Sequence, residues 1–552
     1  MPVRLHLNHQ PTDALQGSSV FDCAETLGIK VPTSCRKQGK CKECIVEVTA
    51  GAEYLSAPGP EETHLQDNFR LSCRARINAD AGKIQCHTMR RGTLVVENQA
   101  YELPVSTDFK LDPTVTRDGE RVLLDGAEID RRPISEPAHG LAIDIGTTTV
   151  VLRLLNLETG ELAASSSFEN PQRFGGSDVM ARISFDTVDK TRSLQRTLSG
   201  YLTHAIEELP VDPQSIYEVV IAGNSTMRDM FFRLSVYTIG QSPYQSLTEH
   251  EMAEGKRDST VLTATAKKLG LPIHPAARVY GMPIISGHVG ADTAACMLAT
   301  NIAHEDRLVA IMDIGTNTEL ILGNKHKIMA ASCPAGPAFE GGLISCGMPG
   351  LPGAIEKVTM DDNDEFTVST IGQEPAVGIC GSGLVDLLAA LVKGDRMNRL
   401  GRFEYDEHEI TIDPTTTPPI TFNEEDINNL AQAKGANVAG LQIIFEQYGI
   451  KAAELDVFYL AGGFGRHLNL ENSKRIGLIP DIPTEKIRQV GNAAVEGACI
   501  ALLSKTKRAE LEALVHRVEH VRLETHENFF DVFVEGCQFA PIGESSTELA
   551  DA

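Results

Sequence analysis

The chain has 552 residues, a formal net charge of −25, no tryptophan and aromatics at only 5%. That length exceeds what one hydrophobic core serves and predicts several domains. The charge excludes nucleic acid, whose phosphates demand clustered Lys and Arg, and the scarce aromatics leave no platform for stacking bases. No apolar run approaches the ~18 residues of a membrane-spanning helix. MPVRLHLNHQPTD has no basic flank leading into an apolar stretch, so a soluble, cytoplasmic protein with no membrane partner is expected.

The first elements belong to a small α+β module. VRLHL alternates as a half-buried strand, SSVFDCAETLGI reads as a helix capped by a serine, and CIVEVTAG and KIQCHT read as strands. Between them, TSCRKQGKCKEC places Cys35, Cys41 and Cys44 in a C-x5-C-x2-C loop, with Cys73 following in FRLSCRARI. Structural zinc usually takes two close ligand pairs at opposite ends of a small fold. Three ligands in one loop and a fourth beside a strand instead match the plant-type ferredoxin layout with one residue added to the first gap. These four thiols are therefore read as ligands of a [2Fe–2S] cluster, with zinc as the alternative. RKQGKCK, the one basic island of this acidic chain, surrounds them. The other eight cysteines read as buried thiols, Cys333 and Cys346 being the exceptions to watch because their loop is rich in Gly and Pro.

From about residue 95 to 138 the periodicity dissolves, apart from short strand-like runs at TLVVE and RVLL. This stretch is read as a linker that could reach about 150 Å if extended at ~3.3 Å per residue. Residues 1–94 precede it as the module.

An internal repeat follows. LAIDIGTTTVVLRLLNLETGELAAS matches VAIMDIGTNTELILGNKHKIMAAS; VVIAGNST matches FYLAGGFG; GHVGADTAACMLAT matches GNAAVEGACIALLS. Three landmarks in one order predict two copies of one α/β unit, residues 139–304 and 305–552. No Walker A motif occurs, so a P-loop is excluded. Instead, Asp144 and Asp313 each end a strand and lead into Gly146, Thr147, Thr148 and Thr149, and into Gly315, Thr316, Asn317 and Thr318. Such turns offer backbone N–H and hydroxyl donors to phosphate, while the aspartates can hold Mg²⁺ through water. Two of them, facing each other, would form a nucleotide clamp. Gly462, Gly463 and Gly465 would lie flat against adenosine, with Gly223 and Asn224 as their counterpart. Glu340 in GPAFEGG is a candidate for orienting attacking water, or a loop carboxylate without special role. GICGSG offers an anion site or a plain helix cap.

The repeated motifs resemble the phosphate and adenosine motifs of the actin/Hsp70/sugar kinase (ASKHA) superfamily. A [2Fe–2S] module joined by a linker to such an ATPase resembles the reductive activators of corrinoid-dependent proteins, the RACE family, across nearly the whole chain. The resemblance implies a β-grasp ferredoxin-like domain followed by duplicated RNase H-like lobes. It implies that Cys35, Cys41, Cys44 and Cys73 hold the donor cluster and that the two aspartate turns and the glycine turn bind ATP. It further implies one-electron delivery to the Co(II) corrinoid of a partner, a corrinoid protein or cobalamin-dependent methyltransferase, restoring Co(I). Some relatives carry [4Fe–4S] clusters on other cysteine patterns, which this chain lacks. The cluster would itself be filled by a low-potential electron donor. No D-x-H-x2-G corrinoid signature occurs, so the corrinoid would belong to the partner. Three rivals share features: a small-molecule kinase with a redox-sensing module, an activator of another low-potential enzyme, and a non-enzymatic ATP switch. A homodimer is among the assemblies the sequence leaves open.

Overall fold

The computed structural model describes residues 3–8, 10–65, 68–89, 110–404, 408–463 and 465–542. The chain divides into two compact units. Among the described residues, the first comprises 3–89, 110–291 and 501–508, and the second 292–500 and 509–542.

The first unit begins with a five-stranded sheet made by β1 (Val3–Leu7), β2 (Gln10–Ala14), β3 (Ile45–Ala50), β4 (Phe69–Leu71) and β5 (Gly82–Thr88) in the order β2-β1-β5-β3-β4. The two strands nearest the module's ends, β1 and β5, pair in parallel, and the remaining pairs are antiparallel. Helix α1 (Val20–Thr26) crosses as the β-grasp helix. It starts where Ser19 accepts from the Asp22 N–H while Asp22 accepts from the Ser19 N–H, a reciprocal cap. The strands and helix lie where the sequence pattern puts them.

The stretch expected to be a linker behaves differently. TLVVE lies outside the described residues. Residues 115–131, in contrast, form an antiparallel meander, β6 (Val115–Asp118), β7 (Arg121–Leu124) and β8 (Ala127–Arg131), the RVLL run being its central strand. The meander is fastened to the next lobe. Glu218, wholly buried there, accepts from Thr114, from Arg278 and from Arg508; Tyr217 donates to Asp130 at 2.6 Å; Arg132 pairs with Asp212. Charged and Pro-bearing sequence here marks a polar interface, so residues 115–131 are not part of an extensible linker.

The lobe itself carries the strands β9 (His139–Ile145), β10 (Thr149–Asn156), β11 (Leu162–Glu169), β12 (Ile216–Gly223), β13 (Leu262–Thr265) and β14 (Arg278–Gly281) in the order β11-β10-β9-β12-β14-β13. Its helices are α2 (Val179–Val188), α3 (Ser193–Glu207), α4 (Ser225–Phe231), α5 (Leu247–Ala253) and α6 (Ala266–Leu269). Every residue of β9 and β12 is buried, which is why both are mostly apolar, His139, Asp144 and Glu218 being the exceptions.

Helix α7 (Ala291–Ala299) leads into the second unit, whose main sheet repeats the plan. Strands β15 (Val309–Ile314), β16 (Thr318–Gly323) and β17 (Ile328–Cys333) form the antiparallel set. After a small sheet of β18 (Ala354–Met360), β19 (Phe366–Thr370) and β20 (Gly378–Ile379), helix α8 (Gly381–Lys393), the hairpin β21 (Glu409–Asp413) and β22 (Ile420–Asn423) and helix α9 (Glu424–Tyr448), strand β23 (Val457–Ala461) joins β15 in parallel. With β24 (Ile487–Gly491) and β25 (Val518–His520) the order is β24-β23-β15-β16-β17-β25. Removing β13 and β25, both sheets share one order and one set of strand directions, so the repeat in sequence is a repeat in fold. In α9, 25 residues long, a Cβ on Gly440 would lie 2.1 Å from Cys333 Sγ, so the helix backbone sits directly on β17. Among the described residues no helix is long and apolar enough to cross a membrane.

Candidate functional site

The cysteine loop runs from the end of α1 to β3. Arg36, Lys37, Gly39 and Lys42 all have φ between 52° and 72°, a left-handed course that turns successive backbone N–H groups toward the thiols. The N–H groups of Cys41, Lys40 and Gln38 donate to Cys35, those of Glu43 and Ser34 to Cys41, and that of Gly39 to Cys73. The four thiols stand as two pairs. Cys44 donates to Cys73 across 3.4 Å, and Cys41 donates to Cys35. Burial opposes ionisation of Cys35, yet its backbone donors bring it down to about 7. Burial pushes Cys41 up, the bond to Cys73 pushes Cys44 up, and Cys73 falls as the acceptor of that bond.

This donor set fits a [2Fe–2S] group. Thiolates about 2.3 Å from a tetrahedral metal lie roughly 3.8 Å apart, close to the Cys44–Cys73 separation, and two such pairs suit two irons. Among the described residues no three His, Cys, Asp or Glu side chains gather on one point as for a single ion. The N–H groups already aimed at sulfur are what stabilise negative charge there.

The first aspartate turn links β9 to β10. The Gly146 N–H donates to Thr149 O at 2.9 Å, and a Cβ on Gly146 would meet that oxygen at 2.6 Å, so this position requires glycine. Asn170 clasps the turn from β11, donating to Gly146 O through its amide at 2.8 Å and to Thr148 O through its backbone. Asn224, which caps α4, donates to Thr147 Oγ1 at 3.0 Å. Gly223 lies so close that a Cβ would stand 2.7 Å from Ile145 O. The structure thus joins Asp144, Gly146–Thr149, Gly223 and Asn224 into one cluster within the first unit.

The second turn, in the other unit, links β15 to β16. Gly462 has φ +100, and a Cβ there would stand 2.3 Å from Ile314 O and 3.1 Å from Asp313 Oδ1, so the glycine turn rests on the aspartate. Gln489 holds this turn by donating to Gly465 O, Arg466 O and Leu468 O at 2.8–3.0 Å. Thr316 donates to Glu340, bringing that loop carboxylate onto the second aspartate turn. Cys296 donates to Asp313 at 3.3 Å. Glu319, paired across the strands with Asp313, is driven far above the usual carboxylate range by burial and by the charges of Asp292 and Asp313. Asp313, Gly315–Thr318, Glu340 and Gly462 therefore form a second cluster within the other unit, with Gly463 and Gly465 continuing the turn.

Sequence reasoning missed Asn170, Cys296, Glu319 and Gln489. Only Glu319 left a trace, as a charge inside an otherwise apolar strand. GICGSG serves packing: a Cβ on Gly383 would lie 2.3 Å from Ile355 O. Cys333 is fully buried and Cys346 is half-buried and pushed up to about 12 by its surroundings, so both are protonated thiols.

Comparison with known proteins accounts for each region. Residues 7–78 match the 2Fe-2S iron-sulfur cluster binding domain, 139–305 the RACo middle region, and 307–548 the C-terminal domain of RACo, the ASKHA domain. The corrinoid activation enzyme RamQ of Eubacterium limosum is 30% identical over 601 residues of alignment, covering 98% of this chain and 99% of the relative. The chain belongs to the RACE family of corrinoid reductive activators. A second family relative, the Methanosarcina barkeri reductase of the Co(II) methylated amine-specific corrinoid protein, is 24% identical over 420 residues, 72% of this chain and 76% of its own. A solved structure named as a reductive activator for corrinoid, iron-sulfur protein superposes with a TM-score of 0.72 at 26% identity, covering 98% of each chain. The N-terminal domain is accordingly of the [2Fe–2S] type and the C-terminal domain of the ATP-binding ASKHA type.

Proposed function

We propose that this chain passes one electron from a [2Fe–2S] cluster on Cys35, Cys41, Cys44 and Cys73 to the Co(II) corrinoid of a partner corrinoid protein or methyltransferase, in a reaction driven by ATP. The observation that carries the reading is the pairing of four thiols under a set of inward backbone N–H donors, in a chain aligned end to end with corrinoid activators. The cluster supplies a one-electron donor near about −400 mV. Co(II)/Co(I) couples are generally more reducing, so transfer runs uphill and nucleotide must favour a state in which cobalt accepts the electron more easily. A ligand shifts such an equilibrium only by its different affinities for two states.

The chain's own residues then have these roles. Gly146–Thr149 and Gly315–Thr318, each within its own unit, donate to phosphate oxygens. Asp144 and Asp313 are the carboxylates that would hold Mg²⁺, whose charge would offset that of the phosphates, and the Gly462–Gly465 turn receives adenosine. Glu340, fixed by Thr316, accepts a hydrogen bond from the attacking water. Burial and the charges of Asp292 and Asp313 oppose a further negative charge on Glu319 beside Asp313.

The test mixes anaerobically reconstituted, reduced protein with a Co(II) corrinoid protein and follows Co(I) by its visible absorption. Co(I) should form slowly alone and much faster with MgATP, and the corrinoid protein should tighten ATP binding by the same factor by which ATP tightens its own. ATP consumed in proportion to a phosphorylated small molecule, indifferent to cobalt, would establish the kinase instead.

A further inference from the structure

We infer that the small redox protein which loads the module docks at the exposed corner of the cysteine loop, on Arg36 and Lys40 beside Cys35, through a carboxylate-rich surface. This rests on the cluster reading above and adds the place and chemistry of the donor.

Cys41, Cys44 and Cys73 are at most 2% exposed, whereas Cys35 is only half-buried. Electron transfer weakens steeply with distance, so a donor gains most by approaching over Cys35. The opposite flank of the loop is closed by the chain itself, within the same compact unit. Thr197 of α3 donates to Lys42 O at 3.3 Å, and Gly200 lies beneath Glu43 and Pro32, where a Cβ would find them at 3.4 and 3.6 Å. Arg173 reaches Glu47 at 3.2 Å and Lys30 reaches Glu208 at 3.2 Å, fixing the module in that pose. Lys42 and Glu43 separate Cys41 from Cys44, so the lobe covers that side of the ligand set and leaves the Cys35 side free.

Charges at the free corner do not cancel. Lys37 is met by Asp22 at 2.9 Å and Glu25 at 2.6 Å, and Arg74 by Glu61 at 2.6 Å. Arg36 and Lys40 are both exposed and stand in no ion pair among the described residues. On a chain of net charge −25, two unmatched cations beside the most accessible ligand are a local exception. Such an exception steers an oppositely charged partner into one orientation and chiefly raises its association rate. In the docked complex one electron leaves the donor and enters the module, and no covalent bond is made or broken.

The full chain, reconstituted anaerobically, is titrated calorimetrically with an oxidised, acidic flavodoxin as the donor probe at about 20 mM and about 200 mM salt, a range over which screening changes strongly. Wild type should bind at least ten-fold more weakly at the higher salt. Arg36→Glu/Lys40→Glu should weaken binding at least ten-fold at low salt and flatten the salt dependence, while Lys83→Glu, an exposed reversal on β5, should leave both unchanged. If the reversals disturb the cluster's visible spectrum, Arg36→Gln/Lys40→Gln gives the same comparison with smaller expected losses. Equal binding by the double variant, or equal weakening by Lys83→Glu, overturns the proposal, as does tighter binding of basic cytochrome c than of flavodoxin to wild type. An iron-free, zinc-loaded wild type would overturn the cluster reading itself, whatever the docking result.

Discussion

Glu218→Gln tests whether the segment after residue 110 is part of the folded lobe. Glu218 is wholly buried and its carboxylate accepts from Arg278 at 2.6 and 2.8 Å, from Arg508 at 2.9 Å and from Thr114. Glutamine keeps the volume and removes the charge, leaving two guanidinium groups beside a neutral amide that can accept at only one atom. Breaking one partner of a buried ion pair costs about 3–5 kcal/mol. Arg278 retains Asp125 at 2.5 Å, although that carboxylate is 57% exposed, and Arg508 retains Ala501 O and the face of Tyr280. The low end, about 3 kcal/mol, is therefore expected. At roughly 2–4 °C per kcal/mol for a unit of this size, calorimetry should show the first unit melting about 6–12 °C lower. Asp125→Asn, which removes only the exposed arm, should cost no more than about 1 kcal/mol. Limited proteolysis should find new early cleavage between residues 110 and 131 in Glu218→Gln alone. A melting point within about 2 °C of wild type, with that segment still resistant, would refute the buried-charge account.

Other expectations are more local. Cys73→Ser should lose most of the bound iron on anaerobic reconstitution, whereas Cys86→Ser, a buried thiol bonded to His6 O at 3.6 Å, should keep it; iron analysis decides. Gly462→Ala forces a side chain onto Ile314 O in a left-handed backbone, costing at least about 1–2 kcal/mol, and should raise the KM for ATP about ten-fold or more while leaving the cluster spectrum intact. Glu340→Gln should lower kcat for ATP hydrolysis by about 10²-fold with ATP affinity nearly unchanged; an equal loss of affinity would make Glu340 a binding group. Lys434 is 1% exposed and burial lowers it to about 7. Because the unfolded chain takes up this proton from about pH 10.5 downward and the folded chain only near 7, Lys434 should erode stability as pH falls between those values. Lys434→Met should flatten that slope in urea titrations.

What the sequence could show depended on whether a residue's purpose was local. Three of the four thiols share one tight loop, so their spacing is visible, and most of the backbone donors to them follow from the same loop. The aspartate turns were legible twice over, since a hairpin that presents N–H groups needs Gly and hydroxyl residues in sequence and the fold repeats it. Asn170 and Gln489 clasp turns formed by residues far along the chain, and amides that bond backbone leave no spacing to read. Cys296 looked like any small apolar residue of α7 until Asp313 lay beside it at 3.3 Å. The segment from 110 to 138 was misread for a related reason. Its charges resemble those of a solvated linker because periodicity reports burial of apolar faces, whereas this sheet is held by Asp125, Asp130 and Arg132 against Arg278, Tyr217 and Asp212. A polar interface has no hydrophobic period, and its partners lie about eighty or more residues away, so only the folded chain reveals that each charge has its complement.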